Sequence, residues 1–429
     1  MKTMLIHEEG ELLQTAVLHN GRIVDFFMER SETGGLVGNI YKGRVVNVLP
    51  GMQAAFVDIG LNKNAFLYID ELLQPTDEKR QRDKPSITEL VRPGQELLVQ
   101  VIKEPLGSKG ARVTSHYSLP GRWLVYMPNA DYVGVSKKIE SESERNRLRG
   151  VGESLRQRGE GIIMRTLAKG ESEESLRSDL MQLRQTWENV RLRFKAAKPP
   201  EPVLLEAGLL RRIFRDMLSS DIDEVWVDDP ALFEEAASMI RELAPAMEGR
   251  LRLYPAHGSV SLFEKYGIAE QLNAAFQTRV WLPSGGYLIW EQTEALTVID
   301  VNTGKFTGTS GLEDTVYRTN LEAADEIARL LRLRDVGGIV IADFIDMEAS
   351  THREAVRQRL EESAGGDRTK CQIHGWTRLG LLEITRKKTR ENVGLQFYQL
   401  CETCGGSGRR YVGLPKARRG ADAGGHRPQ

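Results

Sequence analysis

The sequence predicts a multidomain α/β protein, and three observations carry that reading. At 429 residues the chain is too long for one ordinary core. Its first quarter holds short strands at close spacing, the pattern of a small β-barrel. Its last third runs strand, long helix, strand, an order that favours a layered sheet with helices packed on it.

Composition is that of a globular chain, with 40% hydrophobic and 28% charged residues. No apolar run approaches the ~18 residues of a membrane span, and the first residues lack a signal peptide's apolar stretch. Three cysteines build no disulfide framework and suit a reducing cytosol, so a cytoplasmic location is expected. The 59 basic and 60 acidic residues leave a net charge of −1, which argues against a protein that coats nucleic acid nonspecifically. Any nucleic-acid binding must come from local basic patches.

The elements follow in order. Strands fill the first 30 residues, with a hairpin turn at His19-Asn20-Gly21, and Gly34-Gly35 marks a linker. YKGRVVNV, QAAFVDIG, NAFLYIDEL and QELLVQVIKE supply the barrel strands, as in an OB-fold. From Ser172 to Lys195, Leu176, Leu180, Leu183, Trp187, Val190 and Phe194 recur at helical spacing. Lys198-Pro199-Pro200-Glu201-Pro202 reads as a boundary, and helix and strand then alternate to about residue 275. Beyond it come the strand TEALTVIDVN, a long helix predicted to stop at Gly337-Gly338, and the strand GIVIADFIDM, read as buried. The last residues are a Gly-rich basic tail expected to be disordered.

Two of those strands end in acid. Alternation places Leu296, Val298, Asp300 and Asn302 on one face, and Asp343 closes the apolar run Ile339-Val340-Ile341-Ala342. Acids facing one another repel unless a cation lies between them. A hard ion such as magnesium takes one or two carboxylates plus waters and substrate phosphate, and such a site hydrolyses phosphodiesters. Asn302 adds a hydrogen-bond donor without charge. The competing reading is that these acids cap loops or pair with arginines such as Arg332 and Arg334. Asp346 stays mostly with that competing reading, because on a continued strand its parity differs from that of Asp343; a supporting role behind the ligands is its alternative.

In the barrel, Phe56, Phe66 and Tyr68 lie on the polar side of their strands, beside Lys42, Arg44 and Lys109. That combination makes a stacking platform for unpaired bases, or a second core surface against a neighbouring domain. Cys401-Glu402-Thr403-Cys404 with its trailing glycines is a tight knuckle. Two thiolates are half a tetrahedral zinc site. Cys371 offers a third sulfur, or a second copy of the chain supplies the other half; a redox pair and unligated cysteines are the alternatives.

The stretches TEALTVIDVNTGKFTG, TNLEAADEIARLLRLRDVGGIVIADFIDM and CETCGGSG resemble the catalytic core of the ribonuclease E/G family. The likeness runs back through LPSGG at 282–286, RTLAKGES at 165–172 and LVYMPN at 124–129, and covers the chain to about residue 412. The resemblance implies an RNase H-like domain split between 1–34 and 208–275, interrupted by an OB-fold barrel at 35–117 and a 5′-end-sensing domain at 118–207. A DNase I-like α/β catalytic domain at 276–397, a zinc link at 398–412 and the tail at 413–429 follow. By that resemblance Asp300 and Asp343 hold magnesium and Asn302 positions the scissile phosphate. Gly121, Val125, Arg165 and Thr166 form a 5′-monophosphate pocket, and Phe56, Phe66 and Lys109 bind RNA. Cys401 and Cys404 share zinc between subunits of a homodimer or homotetramer.

The expectation is a magnesium-dependent endoribonuclease that cuts single-stranded RNA to 5′-phosphate and 3′-hydroxyl ends in RNA processing and decay, favouring 5′-monophosphorylated substrates. The rivals are a non-catalytic single-stranded RNA-binding protein and a DNA nuclease. Two positions depart from the family pattern: Glu402 stands where proline is frequent, and Lys137 where an arginine is common. The chain resembles the short, G-type members, with no degradosome scaffold segment expected.

Overall fold

The computed structural model describes residues 1–30, 35–73, 85–105, 109–255, 260–304, 311–387, 397–398 and 403. Cys401 and Cys404, and with them the expected zinc knuckle, lie outside the described residues. Four sheets organise the chain.

The first sheet joins distant parts of the sequence. Strands Lys2–Glu9, Leu12–His19 and Arg22–Arg30 form a meander, and Glu224–Val227 adds in parallel, with Thr3 opposite Glu224. The hairpin turns at Asn20 (φ 50°) and Gly21 (φ 78°), the two positive values a type I′ turn requires. Side chains alternate between two cores. Met4, Ile6 and Val17 pack with helices Leu209–Met217 and Pro230–Leu243, while Leu5, Ala16 and Leu18 join the core built around helix Leu312–Leu333. Ion pairs Asp25–Arg332 and Arg22–Glu326 tie this sheet to that helix.

The second sheet closes into the predicted barrel. Ile40–Leu49, Ala54–Asp58, Ala65–Tyr68, Arg112–Thr114 and Glu96–Lys103 pair in turn, and the last returns to the first. Gly43 sits where a Cβ would come 2.6 Å from Val57, so only glycine lets the barrel wall bend so closely. Glu201–Leu204 adds to the outside of Ile40–Leu49. A third, four-stranded sheet (119–164) packs under helix Glu173–Ala196, whose buried Leu176, Leu180, Trp187 and Val190 follow the predicted stripe.

The fourth sheet has six strands in the order Arg279–Trp281, Tyr287–Gln292, Leu296–Asn302, Gly338–Asp343, Leu382–Arg386, Cys371–Trp376. Leu296–Asn302 and Gly338–Asp343 run parallel because helix Leu312–Leu333 carries the chain back between them. That helix ends earlier than predicted: Arg334 caps it and Asp335 takes the left-handed conformation (φ 49°), two residues before Gly337. The apolar run of the second strand is also buried on one face only. Val340 and Ala342 are fully buried under the helices, whereas Ile339 is 51% exposed. Among the described residues helices cover one side of this sheet and leave the other open, so the expectation of a wholly buried strand is corrected.

Candidate functional site

The two acids stand on the open face. Thr297, Ile299 and Val301 turn inward, so Leu296, Val298, Asp300 and Asn302 turn outward, as alternation predicts. Parallel register sets Asp300 directly beside Asp343 on the next strand. Asn302 Nδ2 donates to Asp300 Oδ2 at 2.7 Å, which fixes the carboxylate's outward edge. The glycines of LPSGG explain themselves here. A Cβ on Gly286 would meet the Asn302 carbonyl at 2.9 Å, and one on Gly304 would meet the Gly285 carbonyl at 2.4 Å.

Neither acid has an arginine partner among the described residues. Arg332 is bound to Asp25, and Arg334 donates to the carbonyls of Ala275 and Gln277. Partial burial, then the charges of Asp300 and Asp346, raise the Asp343 pKa above the ordinary carboxylate value. The strand ends at Asp343, so the parity of a continued strand does not extend to Asp346; its charge reaches Asp343, but it is not grouped with the pair to hold a metal.

Among the described residues no group of three or more His, Cys, Asp or Glu is placed to hold a metal. The donor set present, two adjacent carboxylates with an amide and no basic partner, matches what magnesium asks of a protein when water and phosphate supply the remaining ligands.

The predicted barrel residues come together in part. Phe56 and Phe66 are a cross-strand pair, ring centroids 5.9 Å apart and edge to face, both half-buried. Lys109 is exposed, and Gly110 after it lies so close to the Asn64 carbonyl that a Cβ would sit 2.0 Å away. Lys42 does not belong to this surface. It is buried, bound to Glu96 and the Ala197 carbonyl, and lies over the Phe194 ring. Arg44 shares Glu96.

Gly121 and Arg165 are in direct contact: an Arg165 guanidinium nitrogen donates to the Gly121 carbonyl at 2.5 Å. Thr166 follows, exposed, with its hydroxyl 2.9 Å from that of Ser136, and Val125 lies one strand away opposite Ile163. Two acids were missed in the sequence. Asp216 accepts from Arg165 at 2.7 Å; burial works against its charge, but Arg215 and Arg165 outweigh that and hold its carboxyl below the ordinary value. Asp179 accepts from the amides of Arg122, Trp123 and Leu124, while burial still raises its pKa. No local signal ties either to this pocket, since Arg165 and the amides of residues 122–124 lie dozens of residues from Asp216 and Asp179. Lys137 and Lys138 are both exposed, and Lys138 donates to the Asp367 carbonyl. Cys371 begins an edge strand, and burial pushes its thiol up to about 11.

Residues 118–389 match the sequence model of the Ribonuclease E/G family. Ribonuclease G of Salmonella typhimurium (strain SL1344) is 44% identical over 410 residues, spanning 94% of this chain and 83% of that protein. Ribonuclease G of Haemophilus influenzae is 45% identical over 399 residues, 92% of this chain and 81% of that protein. Ribonuclease E of Escherichia coli (strain K12) is 40% identical over 418 residues, 95% of this chain but 39% of that much longer protein. The chain is a mixed α/β protein with a closed five-stranded barrel and an acid-tipped sheet. It belongs to the ribonuclease E/G family. No described helix is long and apolar enough to cross a membrane.

Proposed function

We propose that this endoribonuclease hydrolyses single-stranded RNA in RNA processing and decay, with Asp300 and Asp343 holding a catalytic magnesium ion. The observation that carries the reading is the rung that sets these two unpaired carboxylates side by side on an open sheet face. When bound, the ion neutralises charge on the scissile phosphate and makes water a better nucleophile. Asn302, oriented by its bond to Asp300, has a second amide proton free for a phosphate oxygen. Attack on phosphorus with loss of the 3′-oxygen leaves 5′-phosphate and 3′-hydroxyl ends.

The Phe56–Phe66 pair and Lys109 hold unpaired bases and backbone on the barrel. Arg165 and Thr166, with Gly121 and Val125, take a 5′-terminal monophosphate; a guanidinium fork suits a phosphate dianion. Cys401 and Cys404 supply half of a zinc site completed by a second copy, giving a dimer or tetramer in the cytoplasm.

The test is cleavage of a short unstructured RNA by the purified chain with and without magnesium, beside matched DNA, and with 5′-monophosphate and 5′-hydroxyl versions. Cleavage of the RNA alone, dependent on magnesium and lost in both Asp300→Asn and Asp343→Asn, is the expected result. Full activity in both variants removes the assignment.

A further inference from the structure

The open face of the catalytic sheet can be read in rows, because register partners on neighbouring strands share a side. One row runs Trp281, Tyr287, Asn302. The next runs Arg279, Ile289, Asp300, Asp343. A third runs Glu291, Val298, Ile341, Glu383. The cutting centre thus has an aromatic and cationic corner on one side and two acids on the other.

That corner is an assembled stack. Trp281 and Tyr287 lie with ring centroids 5.3 Å apart at 63°. The Arg279 guanidinium sits 4.7 Å from the Tyr287 ring and 5.9 Å from the Trp281 ring. All six tryptophans are described, and Trp281 alone is exposed, at 60% of its surface. The inner side of the same strand is satisfied by Val280, 5% exposed in the core, so the indole stands outside the core.

We propose that Trp281, backed by Tyr287 and Arg279, is a base-stacking subsite for a nucleotide flanking the scissile phosphate. The inference rests on Asp300 and Asp343 being the cutting centre. With neighbouring strands about 4.8 Å apart, Trp281 stands roughly 10 Å from Asn302, within the span of an extended dinucleotide. An indole face accepts any base, and an arginine beside it meets the phosphate, the pairing by which single strands are held without sequence readout. Charge decides the path as well. A polyanion crossing the acids avoids the Glu291–Glu383 row and runs toward Arg279.

The experiment compares wild type, Trp281→Ala and Trp281→Phe on a short unstructured RNA, and on a set carrying one abasic nucleotide stepped across the cleavage position. Trp281→Ala is expected to raise KM roughly 5- to 100-fold, the range of base–aromatic stacking, with kcat moving less than about threefold. Trp281→Phe keeps most of the affinity. One abasic position beside the cut weakens wild type and has no further effect on Trp281→Ala, a coupling that a purely structural tryptophan does not produce. Wild-type KM in Trp281→Ala on every RNA overturns the inference, as does a change confined to sedimentation, which would make Trp281 a contact between copies. Failure of the underlying reading looks different: wild type does not cut, or Asp300→Asn cuts normally.

Discussion

Asp300 and Asp343 occupy the same rung of a parallel strand pair, and Asp300 accepts a hydrogen bond from the neutral amide of Asn302, 2.7 Å away. A protein that needed these acids for folding would have given them a cation of its own. Their separate replacement by asparagine should therefore leave thermal stability unchanged or slightly raised, since like-charge repulsion falls. RNA cleavage should drop by roughly 10³-fold, about 4 kcal/mol of lost charge stabilisation. Thermal melts beside single-turnover cleavage check both halves.

Gly121 carries a different prediction. A Cβ there would sit 2.5 Å from Asp179, the carboxylate that gathers three backbone amides. Gly121→Ala should destabilise the chain by about 1–3 kcal/mol, the usual range for overpacking. Urea unfolding measures it. Arg165→Ala should instead erase the difference between 5′-monophosphate and 5′-hydroxyl RNA while cleavage of the hydroxyl form persists, which paired rate measurements resolve.

His7 bonds Asp228 through Nδ1 at 2.5 Å and lies 4.7 Å from the Phe263 ring. The hydrogen bond to Asp228 outweighs burial and raises the imidazole pKa above its ordinary 6.5. A raised folded value means the pair stabilises fully below the unfolded pKa and loses that contribution as pH climbs through the folded one. The stability gap between wild type and His7→Gln should be larger near pH 6 than near pH 9. Denaturant titrations at the two pH values give the comparison; equal gaps would contradict it.

If Cys401 and Cys404 share zinc across copies, Cys404→Ser should lower zinc content and apparent mass together. Metal analysis coupled to sedimentation decides. Zinc retained by monomers would place the whole site in one chain.

The barrel strands, the 172–195 stripe, the Asn20-Gly21 hairpin and the face shared by Asp300 and Asn302 were legible because each is a local periodicity or turn chemistry. Two-residue alternation is a property of the strand itself, so the sequence alone determined that Asp300 and Asn302 project together. Tertiary structure decided everything that depends on what lies across a gap in sequence. It placed Asp343 on the same rung, ended the strand at Asp343, and gave Lys42 to Glu96 and Arg165 to Asp216. Among the described residues it also left one face of the acid-tipped sheet uncovered, which no hydrophobic run can announce: Ile339 is as apolar as Val340, and only the position of the helices decides which of them meets water.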